Sequence, residues 1–426
     1  MWRLELVGSR RSPRSRIQPM NKAVLLSLYA GLVAVSGVNL QAQVRSFSIT
    51  VDPAMHGKVQ VTPPVPEDHA VAAGTVLTIT ATPDPGYVLD SLYYSLQGRF
   101  PTYRESMGSE LKVPVDGNKH IGASFIEASA VSHVDVKHDI VYAKPGVKPL
   151  KYDVFTPKGA RNLPLIIIIH GGGWNANDEN IMRGLARELT KGGKFVAVSM
   201  DYRWSGKSDG DAASNTMANL IEDVFGGIAH IMEHAAEYGG DPTKIGLTGD
   251  SAGGHLSAAA SLMTNMVGSH GFGKTAGVFE FMPTYMPKGK SVEQVRAELT
   301  AAIKAAAPSY GVFNGAQLNH FSEDPAADTA WKDAIAPLSH IPKASDRAVP
   351  QYLIRGTRDP LISNSSVAEF VDALVKQGQR VEYVQVGGAS HAFFDWKPDA
   401  ETKATFQQFG VYYAAEMKAF FTSILY

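Results

Sequence analysis

The sequence predicts an α/β protein, a mostly parallel sheet with helices on both sides, preceded by a small β-rich region. Three observations carry this. Leu165 to Ile169 is an unbroken branched apolar run, as a strand buried on both faces requires. Such runs alternate with stretches of helical periodicity from Val134 to the end of the chain. The segment Gly249-Asp250-Ser251-Ala252-Gly253-Gly254 reads as a sharp turn between the strand Ile245 to Thr248 and a helix. The chain has 426 residues, 44% of them apolar, enough for two or three domains and a large core.

In chain order, Met20-Asn21-Lys22 opens an apolar stretch from Ala23 to Val38, and Leu40-Gln41-Ala42 offers a small-residue cleavage site. This is the layout of a secretory signal peptide, and the run is shorter than the ~20 residues a spanning helix needs. Residues 1–43 are therefore expected to be a signal region, with Met20 as the true start and no stable membrane anchor after cleavage. The expected location is secreted or periplasmic. Residues 44–127 follow as a β-rich module. Phe47 to Val51 and Val59 to Val61 alternate apolar and polar, and Val76 to Ala81 and Ile121 to Phe125 supply further strands. Turns fall at His56-Gly57, Ala73-Gly74, Pro85-Gly86 and Asp116-Gly117. Glu127 to His133 is a polar linker.

The second domain spans residues 134–426. Val134 to Tyr142, Leu150 to Thr156 and Leu165 to Ile169 read as strands, Ile181 to Lys191 as a helix and Phe195 to Met200 as a strand. Asn219 to Tyr238 is a long helix with Leu220, Val224, Ile228 and Ile231 on one face. Residues 266–299 break the rhythm, being rich in glycine, proline and methionine, and are expected to be either a cap insertion or a long connection. Ile303 to Phe313, Gln351 to Arg355 and Val381 to Val386 complete the strands.

Charge is balanced, 40 Lys+Arg against 41 Asp+Glu for a formal net of -1, which argues against a nucleic-acid partner. With no cysteine in the chain, disulfides, thiolate metal sites and cysteine nucleophiles are excluded. No cofactor and no metal site is expected. The glycines precede a serine turn rather than forming a G-x-G-x-x-G loop.

The chemistry concentrates in two glycine-rich segments. A hydroxyl is a poor nucleophile until a neighbouring base takes its proton. Gly249 to Gly253 fit the G-x-S-x-G elbow that presents such a hydroxyl, making Ser251 the expected nucleophile. His170-Gly171-Gly172-Gly173, at the end of the run Leu165 to Ile169, fits an oxyanion loop. The N–H groups of Gly172, Gly173 and Ala252 are the expected donors to a developing oxyanion, and His170 is expected to brace the loop. The base is expected in the small-residue loop after the last strand, at His391. The acid is expected at Asp359, after the strand and turn Tyr352 to Arg358. His255 is expected to pack inside the helix, Asp250 to project away from the nucleophile, and Asp395 to lie in an exposed loop. Trp174 lines an acyl pocket or packs structurally.

On these motifs the second domain resembles the α/β-hydrolase carboxylesterases, nearest to the hormone-sensitive-lipase-like and feruloyl/acetyl esterase branches. The match runs through Tyr152 to Pro157, His170 to Trp174, Asp201 to Arg203, Tyr238 to Pro242, Gly249 to Leu256, Arg355 to Pro360 and Ser390-His391. It departs after Arg203, where Trp204-Ser205-Gly206 stands in place of a Leu-Ala-Pro-Glu run. The resemblance implies a Ser251–Asp359–His391 triad acting on an ester, on a small molecule or a polysaccharide side group. The first module resembles the bacterial repeats first seen in internalin-type surface proteins, through Gly57 to Val59, Gly74 to Pro83, Pro85 to Tyr87 and Ala123 to Phe125. It reads as a spacer or glycan-binding module, or as a passive stabilising extension. Two other functions fit the sequence: a formamidase or amidase with the same triad, and a non-catalytic adhesion protein on a hydrolase scaffold. Oligomeric state has no signature in the sequence.

Overall fold

A computed structural model describes residues 45–96, 102–268, 280–321 and 329–426. The expected signal region, and residues 269–279 of the expected insertion, lie outside them.

The first module holds eight strands: β1 (Ser46–Val51), β2 (Gly57–Thr62), β3 (Ala70–Ala72), β4 (Val76–Pro83), β5 (Tyr87–Leu96), β6 (Thr102–Ser106), β7 (Glu110–Pro114) and β8 (Lys119–Glu127). They form one sheet ordered β3-β1-β8-β5-β6 and a second ordered β2-β4-β7. The sheets share a separate core in which Ile49, Leu77, Ile79, Leu92, Val113 and Ile121 are fully buried. A short helix, α1 (Ala128–Val131), occupies the expected linker.

The second region is built on eight strands: β9 (Val134–Ala143), β10 (Leu150–Pro157), β11 (Leu163–Ile169), β12 (Val196–Met200), β13 (Gly240–Asp250), β14 (Ile303–Ser309), β15 (Gln351–Gly356) and β16 (Val381–Val386). Their spatial order is β16-β15-β14-β13-β11-β12-β10-β9. Every pairing from β12 to β16 is parallel, while β10 runs antiparallel to both β9 and β12. The helices are α2 (Arg183–Thr190), α3 (Met217–His234), α4 (Ala252–Leu262), α5 (Val292–Ala302), α6 (Gly315–Phe321), α7 (Thr329–Ile335), α8 (Asn364–Lys376), α9 (Ala400–Thr405) and α10 (Val411–Leu425). Leu165 to Ile169 on β11 are wholly buried, as their sequence requires. Burial of each such side chain contributes about 1.5–3 kcal/mol, so β11 is the centre of the core. Strand register then fixes the site. Ile169 pairs with Gly249, Asp250 with Ser309, Ser309 with Ile354, and Gly356 with Val386. The loops leaving β11, β13, β14, β15 and β16 therefore emerge side by side at one edge of the sheet.

Several elements depart from the sequence reading. The strand expected over Ile303 to Phe313 ends at Ser309, because Tyr310 turns the chain at φ 35°. The expected helix from Ile181 begins as a 3₁₀ turn over Glu179–Met182, capped by Asp178. Within the expected insertion, Phe281 packs on Phe225 of α3, and Met282 and Thr284 donate backbone N–H bonds to Glu222. Residues 281–284 thus run along α3, and the segment then enters α5, whose Arg296 donates to Val267 O and Gly268 O.

The two regions are joined by buried charge. Asp90 on β5 accepts hydrogen bonds from Arg183 Nε and Nη2 on α2, at 3.2 and 3.1 Å, and Arg187 Nη2 lies 2.8 Å away. Trp396 Nε1 also donates to Asp90 Oδ2, at 2.9 Å. Glu105 on β6 accepts two further bonds, from Arg183 Nη1 and Nη2. Burial alone would raise the Asp90 carboxyl, but Arg183 and Arg187 outweigh it and hold the pKa well below the ordinary range.

Candidate active site

Ser251 sits between β13 and α4 with φ 51° and ψ -114°, a conformation L residues rarely adopt. The turn closes because no side chain occupies Gly253: a Cβ there would fall 1.9 Å from Ile169 O. The strained backbone is held by Ser251 N donating to Ser309 O and by Ser251 O accepting from His255 N. The side chain is left at the sheet edge.

His391 arrives from the loop after β16, and its Nε2 lies 2.9 Å from Ser251 Oγ. Its Nδ1 lies 2.8 Å from Asp359 Oδ2. Asp359 Oδ1 accepts the backbone N–H groups of Leu361 and Ile362, at 2.8 and 2.9 Å. Burial opposes ionisation of Asp359, yet the bonds from His391, Ile362 and Leu361 keep its pKa below the usual value. Tyr310 stands edge-on to the His391 ring at 4.8 Å and accepts Phe394 N–H through its hydroxyl. The structure thus brings together the three side chains expected at Ser251, Asp359 and His391.

The loop after β11 lies beside them. Gly172 has φ 119°, and a Cβ there would fall 2.2 Å from Ala176 O. Gly173 follows at φ 60°. Neither of these N–H groups, nor that of Ala252 at the start of α4, bonds to another described residue. They remain available to an oxyanion. His170 braces the loop as expected: it is buried, Nε2 lies 3.0 Å from Asp201 Oδ1, and its ring stacks on Tyr202 at 4.3 Å. Lys148 Nζ completes the brace, 2.9 Å from the same Asp201 oxygen.

Other residues fall differently. Asp250 does face away from Ser251, and it has a task there: Oδ1 accepts Gly171 N–H at 2.7 Å, joining the elbow to the oxyanion loop. Asp395 is buried rather than exposed, paired with Lys397 at 3.2 Å and interacting with Asp250. Burial, reinforced by the neighbouring Asp395, pushes the Asp250 carboxyl well above its ordinary pKa. Asp250 and Asp395 thus bring the segments carrying Ser251 and His391 together, a link no sequence pattern announces. Trp174 is a structural aromatic, buried, donating through Nε1 to His255 Nδ1 at 3.3 Å. His255 Nε2–H then donates to Ile335 O, and burial lowers its pKa to about 4, so it is a neutral packing residue.

Among the described residues, no group of three or more histidines and carboxylates is arranged to hold a metal. The i,i+4 pair His230 and His234 on α3 has ligand spacing, a pattern overlooked in the sequence. Their Nδ1 atoms face Tyr152 Oη and Glu237 Oε1. No described helix is long and apolar enough to cross a membrane.

Residues 47–129 match the divergent InlB B-repeat domain family, and residues 152–374 match the BD-FAE family. Esterase LipQ of Mycobacterium tuberculosis is 29% identical over 249 residues, 55% of this chain and 51% of LipQ. Carboxylesterase NlhH of the same organism is 34% identical over 124 residues, 29% of this chain and 37% of NlhH. This chain thus spans about half the length of LipQ. The propionate-bound Est2 esterase of Thermogutta terrifontis superposes with a TM-score of 0.49 at 24% identity, covering 67% of this chain and 94% of its own. The chain belongs to the BD-FAE family of α/β-hydrolase esterases, with a divergent InlB B-repeat domain ahead of the catalytic sheet.

Proposed function

We propose that the chain is a serine carboxylic-ester hydrolase that works through an acyl-enzyme. The observation that carries this reading is the continuous relay from Asp359 through His391 to Ser251 Oγ, with contacts of 2.8 and 2.9 Å, beside three unused N–H donors. In the ground state the Ser251 hydroxyl donates to His391 Nε2, and Nδ1–H donates to Asp359. As Oγ attacks the ester carbonyl, its proton passes to Nε2, and the ionised Asp359 stabilises the imidazolium. Negative charge grows on the former carbonyl oxygen. Gly172, Gly173 and Ala252 N–H groups meet it without reorganising, and each such donor contributes ~10²–10³ in rate. His391 returns the proton to the leaving alcohol. Water, deprotonated by the same imidazole, then releases the acid.

The finer reading is an exported enzyme acting on acyl groups of an extracellular polysaccharide, acetyl or feruloyl. The leader-like pattern of Met20 to Ala42 supports export, and the accessory β module supports a polymeric substrate. Hydrolysis of p-nitrophenyl acetate, methyl ferulate and acetylated xylan by the wild type and by Ser251→Ala tests both levels. Turnover of all three that falls by at least ~10⁴ in the variant is the expected result. Equal turnover by the two proteins refutes the mechanism. Turnover of the small ester with none on acetylated xylan refutes the substrate class.

A further inference from the structure

The loop that delivers His391 is held at its two ends by different parts of the molecule. On the β16 side, Thr357 N donates to Val386 O, Arg358 N to Ala389 O and Gly388 N to Thr357 Oγ1. This arm therefore hangs on the turn that carries Asp359. Past His391 the chain turns through Ala392 at φ 62°, a conformation L residues keep only under constraint. Phe393 to Trp396 are then buried. Among the described residues, none hydrogen-bonds to the His391 backbone itself. The backbone under the imidazole is thus set by the two arms that flank it.

The second arm ends on Trp396, which is pinned from both regions. Its backbone N–H donates to Ile181 O at 2.9 Å, and its ring lies against Gly184, where a Cβ would fall 2.9 Å from the indole Cε3. Those contacts come from the catalytic region. The remaining one comes from the module: Trp396 Nε1–H donates to Asp90 Oδ2 at 2.9 Å. Asp90 is itself fixed. Its side chain is fully buried and also accepts from Arg183 Nε and Nη2 and from Ser124 Oγ. Strand β5 is shaped to put it there. Leu89 pairs with Phe125 and Ser91 with Ser124, so Asp90 is the extra residue of a β-bulge. Tyr87 and Leu89 pack on the module core before the bulge, and Leu92 and Tyr94 pack on it afterwards. The alternation changes phase at Asp90, and Asp90 and Ser91 meet Arg183 instead. Bulges re-aim side chains in this way. Of the groups Asp90 meets, Trp396 is the one that continues directly into the chain carrying His391.

We infer that Asp90 is a positioning residue for the esterase: through Trp396 it fixes the loop that carries His391, so the β-rich module is a working part of the active site. The inference rests on the serine-esterase reading above. The test uses the full chain with Trp396→Phe and Asp90→Ala, singly and together. Trp396→Phe removes the indole N–H and keeps an aromatic ring beside Gly184. Two quantities are measured well below each melting transition: kcat and KM on p-nitrophenyl acetate, and the rate and final extent of fluorophosphonate labelling at Ser251. Misplacing a catalytic group by about 1 Å costs up to ~10² in rate. Trp396→Phe should lower both kcat and the labelling rate at least tenfold, with KM changing little and one label per chain at completion. A contact that only stabilises the fold would lower the melting temperature and leave the rate per labelled site unchanged. Because Asp90 acts through Trp396, the double variant should lose less kcat than the product of the single losses. A kcat for folded Trp396→Phe within tenfold of wild type, or single losses that multiply, would overturn the inference. If Asp90→Ala does not fold, Trp396→Phe alone decides. Wild-type labelling at Ser251 that Trp396→Phe does not slow removes this inference and leaves the proposed function standing. A wild type that is not labelled at Ser251 removes the proposed function, and the inference with it.

Discussion

Asp359→Asn is nearly isosteric, yet the surroundings of Asp359 make it severe. Oδ1 accepts two backbone N–H groups, from Leu361 and Ile362, while Oδ2 faces His391 Nδ1. An asparagine that keeps both backbone bonds must turn its NH₂ toward His391. Nδ1 then becomes the acceptor, the imidazole proton moves to Nε2, and Ser251 has no base. The opposite amide orientation restores the base but leaves the buried Ile362 N–H and the part-buried Leu361 N–H facing an NH₂, at up to about 1–3 kcal/mol each. The productive state is thus about 2–6 kcal/mol uphill, a loss from tens-fold to ~10⁴. Even when reached, it lacks the negative charge that stabilises the imidazolium. We expect kcat on p-nitrophenyl acetate at pH 7.5 to fall by ~10³–10⁴, with KM changing little. A folded variant retaining more than a tenth of wild-type kcat would refute the reasoning.

Gly172→Ala puts a Cβ 2.2 Å from Ala176 O at φ 119°, so the oxyanion loop must shift. Esterase kcat should drop ~10²–10³ while the melting temperature changes little, and near-normal kcat would exclude Gly172 from the hole. Arg183→Ala leaves Asp90 and Glu105 buried without their main partner and should cost about 3–5 kcal/mol in urea unfolding. Asp90 has a lowered folded pKa. Its contribution is therefore present above an unfolded value of about 4 and lost as pH falls through the folded one. The wild type should accordingly lose its advantage over Arg183→Ala in acid, and an advantage constant from pH 7 to pH 2 would contradict this. Asp250 has the opposite sign. Its folded pKa is raised, so its contribution is complete below about pH 4 and lost as pH rises through the folded value. Asp250→Asn preserves an acceptor for Gly171 N–H and mimics the protonated acid. Its melting temperature relative to wild type should therefore climb as pH rises from 4 towards 8, and a flat difference would contradict the raised Asp250 pKa.

The catalytic edge was legible in the sequence because its requirements are local. A buried run such as Leu165 to Ile169, glycines on both sides of Ser251, and a small-residue loop before His391 each declare themselves within a few residues. The rest depends on contacts between distant segments. Asp90 and Arg183 look like ordinary surface charges until folding sets them 3.1 Å apart. Asp395 looked exposed because nothing near it in sequence announces Asp250 as its neighbour. Strands β5 and β6 were missed for a related reason. Their Asp90, Arg104 and Glu105 pair with Arg183 and Asp178 of the second region, so the alternation of a solvent-facing strand is absent. Helix α8 carries local signals of its own, Ser363 as N-cap and Val367, Phe370 and Leu374 buried on one face.

The central claim is that Ser251 is made nucleophilic by His391 and becomes acylated. The most direct measurement is peptide mass mapping after reaction with a fluorophosphonate, on the wild type, Ser251→Ala and His391→Ala. One adduct per chain on Ser251 in the wild type, none in Ser251→Ala and labelling at least ~10³-fold slower in His391→Ala are expected. An adduct on any other residue, or labelling of Ser251 at an undiminished rate without His391, would contradict it.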